Sequence, residues 1–257
     1  MEQQDILSMT LPELQAAVQE LGEPKFRAKQ IFNWLHQKRV TDFSEMTTLS
    51  LPFRERLASD FCINRLKIAK RLASSVDDTV KYLYELPDGN YVETVCMQYH
   101  HGTSLCISTQ VGCRMGCRFC ASAIAGFVRN LTPAEMLLQI YETERAQNCK
   151  ISSLVLMGIG EPLDNFDNVL RFLQLLSDPN GYGMSLRHVT VSTCGVVPKI
   201  LELAEQRLGL TLSVSLHCPN DAGRSAIMPI NRSYPIDVLL DACQTYFEKT
   251  GRRVTFE

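Results

Sequence analysis

The chain has 257 residues, with 26 basic and 28 acidic side chains, so its formal net charge at pH 7 is −2. A composition of 45% hydrophobic and 21% charged residues is typical of a globular protein and excludes a disordered, collagen-like or coiled-coil chain. Binding to nucleic acid would therefore need a local basic patch. No apolar run approaches about 18 residues, and the polar, acidic start does not resemble a signal peptide, so we expect a cytoplasmic protein without membrane contact.

Residues 1–62 predict a small helical domain. A capping box at Thr10 and Glu13 starts the first helix, and Gly22 ends it. The apolar positions of a second amphipathic helix are Phe26, Ile31, Trp34 and Leu35. The basic residues of its other face are Lys25, Arg27, Lys29, Lys38 and Arg39. Such a face is either solvated or contacts an RNA backbone, and the pattern leaves both alternatives open.

Residues 63–100 predict a β-hairpin extension. Two alternating segments, 80–86 and 91–97, flank a turn at Pro87–Asn90. Glu93 shares its strand face with apolar residues. If that face is desolvated, the carboxylate becomes a usable proton acceptor, whereas on an edge strand it faces water.

Residues 101–257 alternate between strand and helix patterns. The predicted strands are 103–109, 153–158, 188–193 and 210–216, and the predicted helices are 133–147, 165–177, 197–206 and 235–249. A second capping box at Thr132 starts the first of these helices, and Gly251 ends the last. A fifth strand begins at Arg253. Four βα units and this strand predict an α/β fold that does not close an eight-unit barrel, so either the barrel is partial or the chain is incomplete.

Ten cysteines in a chain without a secretory signal favour reduced thiols that bind metal or act in catalysis. Cys113, Cys117 and Cys120 form a C-x3-C-x2-C array after the first barrel strand. Three thiolates can hold three irons of a [4Fe-4S] cluster and leave the fourth iron free to chelate S-adenosylmethionine (SAM). The alternative is structural zinc, with Cys106 or His217 as the fourth ligand.

The ends of the predicted barrel strands carry glycines and small polar groups. Gly158–Leu163 is not a Rossmann fingerprint, but its glycines allow close approach of a ligand, and Glu161 can bind a substrate ammonium group. Ser192–Gly195 and Ser215–His217 can bind the ribose and carboxylate of an adenosyl cofactor, or can cap the helices that follow. The long loop 111–131 holds three arginines that meet phosphate or solvent: Arg114, Arg118 and Arg129.

With these motifs assembled, the chain resembles the radical-SAM rRNA adenine C2-methyltransferases of the RlmN type. The resemblance spans the whole chain and includes FRAKQIFNWLHQK, VETV, SLCISTQVGCRMGCRFC, GIGEPL, VSTCG, SLHCPND, IMPINR and RRVTFE. Relatives that confer antibiotic resistance and methylate C8 of the same adenine share the sequence SLCISTQVGCRMGCRFC around the cluster cysteines. The resemblance implies a partial (β/α)6 TIM-like barrel that is incomplete at its C-terminal end and is preceded by an accessory helical domain and the β-hairpin.

The resemblance also implies roles for individual residues. Cys113, Cys117 and Cys120 would ligate the [4Fe-4S] cluster. Glu93 corresponds to the family's proton acceptor, and Cys106 corresponds to its resolving thiol. The residues that would bind SAM are Gly160, Glu161, Ser192, Ser215, Leu216 and His217.

The reaction implied by the resemblance is methylation of C2 of an adenine in 23S rRNA, and also in tRNA, through a methyl-cysteine intermediate. The radical formed from SAM abstracts hydrogen from the methylated cysteine, and the resulting carbon radical adds to C2. Glu93 removes the C2 proton, and Cys106 releases the RNA by forming a disulfide. The expected partners are the RNA and a low-potential electron donor such as flavodoxin or ferredoxin, and the expected state is a monomer.

The family's methyl-carrying cysteine follows the fifth strand, and none of the 257 residues can be assigned to it. We therefore expect a truncated chain that cannot complete turnover alone. Three alternatives stay open at the level of sequence: a non-catalytic RNA-binding remnant, a C8-methylating relative and a structural zinc protein. Cys194 and Cys218 are interpreted as structural.

Overall fold

The computed structural model describes residues 3–257. The helices are α1 (Leu11–Glu20), α2 (Phe26–His36), α3 (Leu51–Asp60), α4 (Pro133–Gln147), α5 (Phe166–Ser177), α6 (Val197–Glu205), α7 (Asp221–Ile227) and α8 (Ile236–Thr250). The strands are β1 (Gln4–Asp5), β2 (Phe61–Cys62), β3 (Lys67–Ala73), β4 (Val80–Glu85), β5 (Tyr91–Tyr99), β6 (Gly102–Cys106), β7 (Gln110–Gly112), β8 (Phe127–Asn130), β9 (Ile151–Leu156), β10 (Val189–Thr193), β11 (Thr211–Val214) and β12 (Val254–Phe256). Within the described part of the chain, each helix is too short or too polar to cross a bilayer.

One eight-stranded sheet organises the molecule, in the order β12-β11-β10-β9-β6-β5-β4-β3. The five strands from β6 to β12 in this order are parallel, and helices α4, α5, α6 and α8 lie between or after them along the chain. This arrangement confirms the predicted α/β partial barrel. Strands β3, β4 and β5 continue the same sheet in antiparallel pairing, so the predicted hairpin is hydrogen-bonded directly to the first barrel strand.

Local signals in the sequence placed the helix ends correctly. Both predicted capping boxes form, with Glu13 and Glu135 bonded back to the backbone N–H groups of Thr10 and Thr132. Gly251 ends α8 in the left-handed conformation, with φ of 65°. These contacts involve residues close in sequence, which is why a pattern could predict them.

Strand β3 was not predicted, because its sequence, KIAKRLA, does not alternate between apolar and polar residues. In the structure all of its residues are exposed. It pairs with β4 at the edge of the sheet, with an irregular register between Ile68 and Lys70. Lysines and a bulge on an edge strand oppose pairing with a second protein. Strand β3 therefore has no buried face and is held in the sheet by its hydrogen bonds to β4.

Helix α4 lies between the N-terminal helices and the sheet, and its residues from Pro133 to Glu144 are buried. His36, at the end of α2, is fully buried and bonds through Nδ1 to the hydroxyl of Tyr141 on α4, 2.9 Å away. Burial lowers the pKa of His36 to about 4. The contact between the helical domain and the barrel thus depends on a neutral imidazole.

Acidification should weaken this contact. His36 has an ordinary pKa of 6.5 when unfolded and about 4 when folded, so between these values the unfolded chain binds more protons and stability falls as pH falls. From pH 7 to pH 5 the loss is about 2 kcal/mol. Chemical denaturation of the parent and of His36→Gln at both pH values tests this. If both proteins lose the same stability, His36 does not carry the pH dependence.

Candidate active site

Eight of the predicted site residues line one cavity of about 180 Å³ at the carboxyl ends of the parallel strands, here called the strand-end cavity. They are Cys113, Cys117, Cys120, Gly160, Glu161, Ser192, Ser215 and His217. Carboxyl ends of parallel strands are where barrel enzymes build their sites. Leu216 does not line the cavity, since its side chain packs against the core.

Cys106 adjoins this cavity, since its thiol contacts the backbone N–H of the lining residue Met157, and Glu93 lies on the same face of the sheet as Cys106. Cys106 on β6 is directly opposite Val95 on β5, and Glu93 is two residues from Val95 and so shares its face. Because β5 is paired on both sides, Glu93 does not lie on an edge strand. The carboxylate is half-exposed, and Nζ of Lys81 lies 2.6 Å from its Oε1.

The Gly158–Glu161 turn lies directly against the end of β6. Gly160 has φ of +107°, and a Cβ there would stand 2.5 Å from Cβ of Gln110. The backbone N–H of Glu161 donates to Oε1 of Gln110 at 2.9 Å. A glycine is therefore required at position 160 by both conformation and space.

The carboxylate of Glu161 connects two strand ends. It is 4% exposed, and it accepts hydrogen bonds from the backbone N–H groups of Cys194 at 2.8 Å and Leu163 at 3.0 Å. Burial raises its pKa, while these two bonds favour the ionised form. A buried carboxylate at a cavity wall is suited to binding a cation, in line with the ammonium group expected from the sequence.

A short antiparallel pair that the sequence did not predict, β7 with β8, frames the cysteine loop. The loop is closed by backbone bonds from Cys113 to Gly126 O, at 3.2 Å, and from Cys120 to Cys117 O, at 3.1 Å. The ring of Phe119, a residue of this loop, contacts the ring of His217 edge-on, with the ring centroids 4.8 Å apart. The three thiols are thereby placed on one wall of the cavity.

The three thiols of the cavity fit the ligand set of an iron–sulfur cluster. Burial raises the pKa of Cys113, and burial with repulsion from the neighbouring thiols raises that of Cys117 to about 11. Holding these groups as thiolates thus requires a strongly positive partner. Among residues 3–257, no three His, Cys, Asp or Glu side chains converge as ligands of one metal ion. Ligands of a cubane bind different irons and need not converge on one point.

The loop arginines are not equivalent. Arg129 pairs with Asp88 at 2.6 Å and with both oxygens of Glu135 at 2.8 Å, so the expectation that it meets phosphate or solvent is wrong. Arg114 pairs with Asp164 at 2.9 Å and is half-exposed. Arg118 alone of the three is exposed without a side-chain ion pair among the described residues.

Three methionines of the strand-end cavity were missed by sequence reasoning: Met115, Met157 and Met228. Met157 immediately precedes the glycine motif, which is the one signal that could have placed it. Met228 follows α7, a helix whose position relative to the cavity no local pattern indicates. A thioether wall is apolar and adaptable, and it suits a flat or irregular ligand.

A second feature lies on the helical domain. Phe26, expected on the buried face of α2, is 59% exposed. It lines a surface recess with Lys29, Trp34 and Lys38, and Nζ of Lys38 lies 3.5 Å from the centre of the Trp34 ring. We call this surface the aromatic–basic recess. Arg39 lies outside it and pairs with Glu144.

Comparison with protein families gives two matches. Residues 4–63 match the ribosomal RNA large subunit methyltransferase N-terminal domain of RlmN, and residues 107–257 match the radical SAM superfamily. The second match includes the three cysteines and every strand-end motif described above.

Individual relatives match over nearly the whole chain. The "Probable dual-specificity RNA methyltransferase RlmN" of Lachnoclostridium phytofermentans is 52% identical over 98% of this chain and 71% of its own length. The protein of the same name from Alkaliphilus oremlandii is 50% identical over 100% of this chain and 75% of its own length. The crystal structure of a radical SAM methyltransferase from Sphaerobacter thermophilus superimposes with a TM-score of 0.92, at 39% identity over 98% of this chain and 75% of that chain.

Proposed function

We propose a specific reaction from one premise: the chain belongs to the RlmN family of radical SAM methyltransferases. The reaction is methylation of C2 of an adenine in 23S rRNA and in tRNA, through a methyl-cysteine intermediate. The observation that carries it is that Glu93 and Cys106 share one face of neighbouring strands, with the thiol of Cys106 against Met157 of the strand-end cavity. A proton acceptor and a free thiol next to a radical-generating site are what this chemistry requires.

The strand-end cavity would hold both cofactors. Cys113, Cys117 and Cys120 would ligate a [4Fe-4S] cluster, which supplies the electron for reductive cleavage of SAM when it is bound. The remaining walls would contact SAM: Gly160 by close backbone approach, Glu161 by its buried carboxylate, and the strand ends by their polar side chains. A flavodoxin or ferredoxin is the proposed electron donor.

Glu93 would accept the C2 proton from the target adenine. The ammonium group of Lys81 holds the carboxylate of Glu93 in place by an ion pair. The carboxylate is partly exposed, so one of its oxygens is accessible to the adenine ring. The target adenine must leave its stack to reach this position.

The thiolate of Cys106 would attack the sulfur of the methyl-carrying cysteine, so that a disulfide forms and the S–C bond breaks. The carbon would keep the electron pair of that bond and take up one proton, which gives the methyl group of the released RNA. Burial raises the pKa of its thiol to about 11, and the backbone N–H of Met157 opposes this by donating to the sulfur. Cys106 is a free, partly buried thiol, so its sulfur is available for this role.

Substitution of either residue should block methylation and leave the cluster in place. We expect Glu93→Gln and Cys106→Ala to lower 2-methyladenosine by about 10²-fold or more, since each removes a proton-transfer or covalent step. The measurement is mass spectrometry of nucleosides from 23S rRNA and tRNA treated with the intact enzyme. Glu85→Gln, which changes a carboxylate on the neighbouring strand, is the matched control.

Three results would contradict the proposal. Normal turnover by either variant would exclude its assigned role. Formation of 8-methyladenosine would place the protein with the C8-methylating relatives. Stoichiometric zinc without sulfide after anaerobic reconstitution would favour the structural-zinc alternative.

The aromatic–basic recess would contact the RNA. Exposed aromatic rings among lysines offer stacking surfaces for unpaired bases and positive charge for the backbone. Phe26 and Trp34 supply the rings, and Lys29 and Lys38 supply the charge. The recess would therefore be the local basic patch that a chain of near-neutral net charge needs in order to bind nucleic acid.

Loss of both lysines should weaken RNA binding and its salt dependence. We expect Lys29→Gln with Lys38→Gln to lower affinity for an RNA fragment carrying the target adenine by about tenfold near physiological salt. Fluorescence anisotropy at several salt concentrations measures both quantities. The control removes two lysines from the barrel helices, Lys199→Gln with Lys249→Gln. An equal loss in the control would mean that the recess has no special role.

A further inference from the structure

Arg224 on α7 is fully buried beneath the ends of β10 and β11. Its guanidinium donates four hydrogen bonds, all to neutral oxygens. The acceptors are the carbonyls of Cys194 at 2.6 Å, Ser215 at 3.1 Å and Leu216 at 3.2 Å, and Oδ1 of Asn231 at 2.7 Å.

A buried cation is costly unless an anion compensates it. Asp221, the other charged residue of α7, is hydrogen-bonded elsewhere: it accepts from Asn231 at 2.8 Å and from the backbone of Ile236 at 2.9 Å. Helix α7 is joined to the cysteine loop by the backbone N–H of Arg118, which donates to the carbonyl of Ile227 at 2.9 Å. Cys194 and Ser215, whose carbonyls Arg224 binds, line the strand-end cavity, so the charge of Arg224 lies directly behind the wall of that cavity.

The same side chain fixes the cavity wall. Ser215 and His217 line the cavity, and His217 has φ of 54°, a conformation that costs energy for a non-glycine residue. The backbone N–H of His217 is bound by the carbonyl of Glu257 at 2.8 Å. Arg224 adds bonds to the two preceding carbonyls and to the neighbouring strand end. Its planar fork holds three carbonyls in one fixed geometry, which the compact ammonium group of a lysine does not reproduce.

We propose that Arg224 has two roles at this site. As a positioning residue it fixes the Ser215–His217 wall for SAM, and as a buried cation it offsets the negative charge of a cluster bound to Cys113, Cys117 and Cys120. This inference rests on the proposed function, since it assigns a role toward the cluster and SAM. Because α7 follows the last cofactor-binding motif, no motif in the cysteine loop or at the strand ends indicates this residue.

The charge has a direct consequence for reduction. One-electron reduction adds a negative charge to the cluster without a proton, and a buried positive charge nearby favours the reduced form. Removing the charge should shift the midpoint potential to more negative values. Replacing the planar guanidinium by another cationic group keeps the charge but loses the bonds to the carbonyls. Such a change should weaken SAM binding more than it shifts the midpoint potential of the cluster.

The test compares Arg224→Gln, which removes the charge, with Arg224→Lys, which retains it. Arg187→Gln removes one charge from an exposed side chain just before β10, at the opposite end of the strand. Each reconstituted protein is titrated anaerobically with dithionite and followed by electron paramagnetic resonance, iron and sulfide are counted, and SAM affinity is measured by calorimetry.

We expect Arg224→Gln to have a more negative potential than both the parent and Arg187→Gln. We expect SAM to bind about ten- to a hundredfold more weakly to both Arg224 variants. If only Arg224→Lys assembles a cluster, the requirement for charge is supported. A parent-like potential and SAM affinity in Arg224→Gln would overturn this inference alone, whereas a parent chain that assembles no cluster would overturn the proposed function and this inference together.

Discussion

Cys117→Ala should lose the cluster and reduce methylation by at least about 10³-fold, because it removes one of the three thiols that the cysteine array supplies as ligands. Cys117 stands between Cys113 and Cys120 on the same wall of the strand-end cavity. Two thiolates cannot hold a cubane that requires three protein ligands. Reconstituted protein should show a loss of iron, of sulfide and of absorbance near about 400 nm.

Cys218→Ala is the matched control for this prediction. Cys218 is half-buried near the cavity but does not line it, and its sulfur packs against Gly223. We expect four irons and four sulfides per chain to remain, with parent-like absorbance. A full cluster in Cys117→Ala would refute the assigned ligand set, and loss of the cluster in Cys218→Ala would show that this thiol is not merely structural.

The parts of the fold that could be predicted depend on contacts close in sequence. The capping boxes at Thr10 and Thr132 and the left-handed end at Gly251 involve residues within one helical turn. The parallel strands were predictable because their central residues are apolar and because the segments between them have apolar residues at helical spacing. The same regularity placed the Ser192 and Ser215 motifs at strand ends, and therefore at one face of the barrel.

What could not be predicted depends on contacts between distant segments. Lys81 meets Glu93 across a strand pair, and Arg129 meets Asp88 over a separation of 41 residues. No pattern within either segment indicates such a partner. Phe26 fitted the apolar period of α2 but lies in its first turn, beyond the part of the helix that the core covers, so it is exposed.

The glycine motif is the second place where a large effect is expected. In Gly160→Ala, the added Cβ would lie 2.5 Å from Cβ and 2.8 Å from the backbone N of Gln110. Gln110 cannot yield easily, because its side chain accepts from Glu161 at 2.9 Å and donates to Asn130 at 2.8 Å and to Asp164 at 2.7 Å. The φ of +107° adds strain that any side chain would meet.

The turn must therefore move, and Glu161 moves with it, since its carboxylate is oriented by the same backbone. We expect Gly160→Ala to lower SAM affinity by about a hundredfold and to cost on the order of 1–3 kcal/mol in the free energy of unfolding. Gly209→Ala is the control, because its Cβ would meet only Cγ of Arg187 at 3.6 Å, an ordinary contact. Calorimetric titration with SAM and denaturation of both variants measure the two effects. If Gly160→Ala is folded and binds SAM like the parent, the backbone at this position does not form the SAM contact that the glycine motif implies, and Glu161 would have to be positioned by its bonds to Cys194 and Leu163 alone.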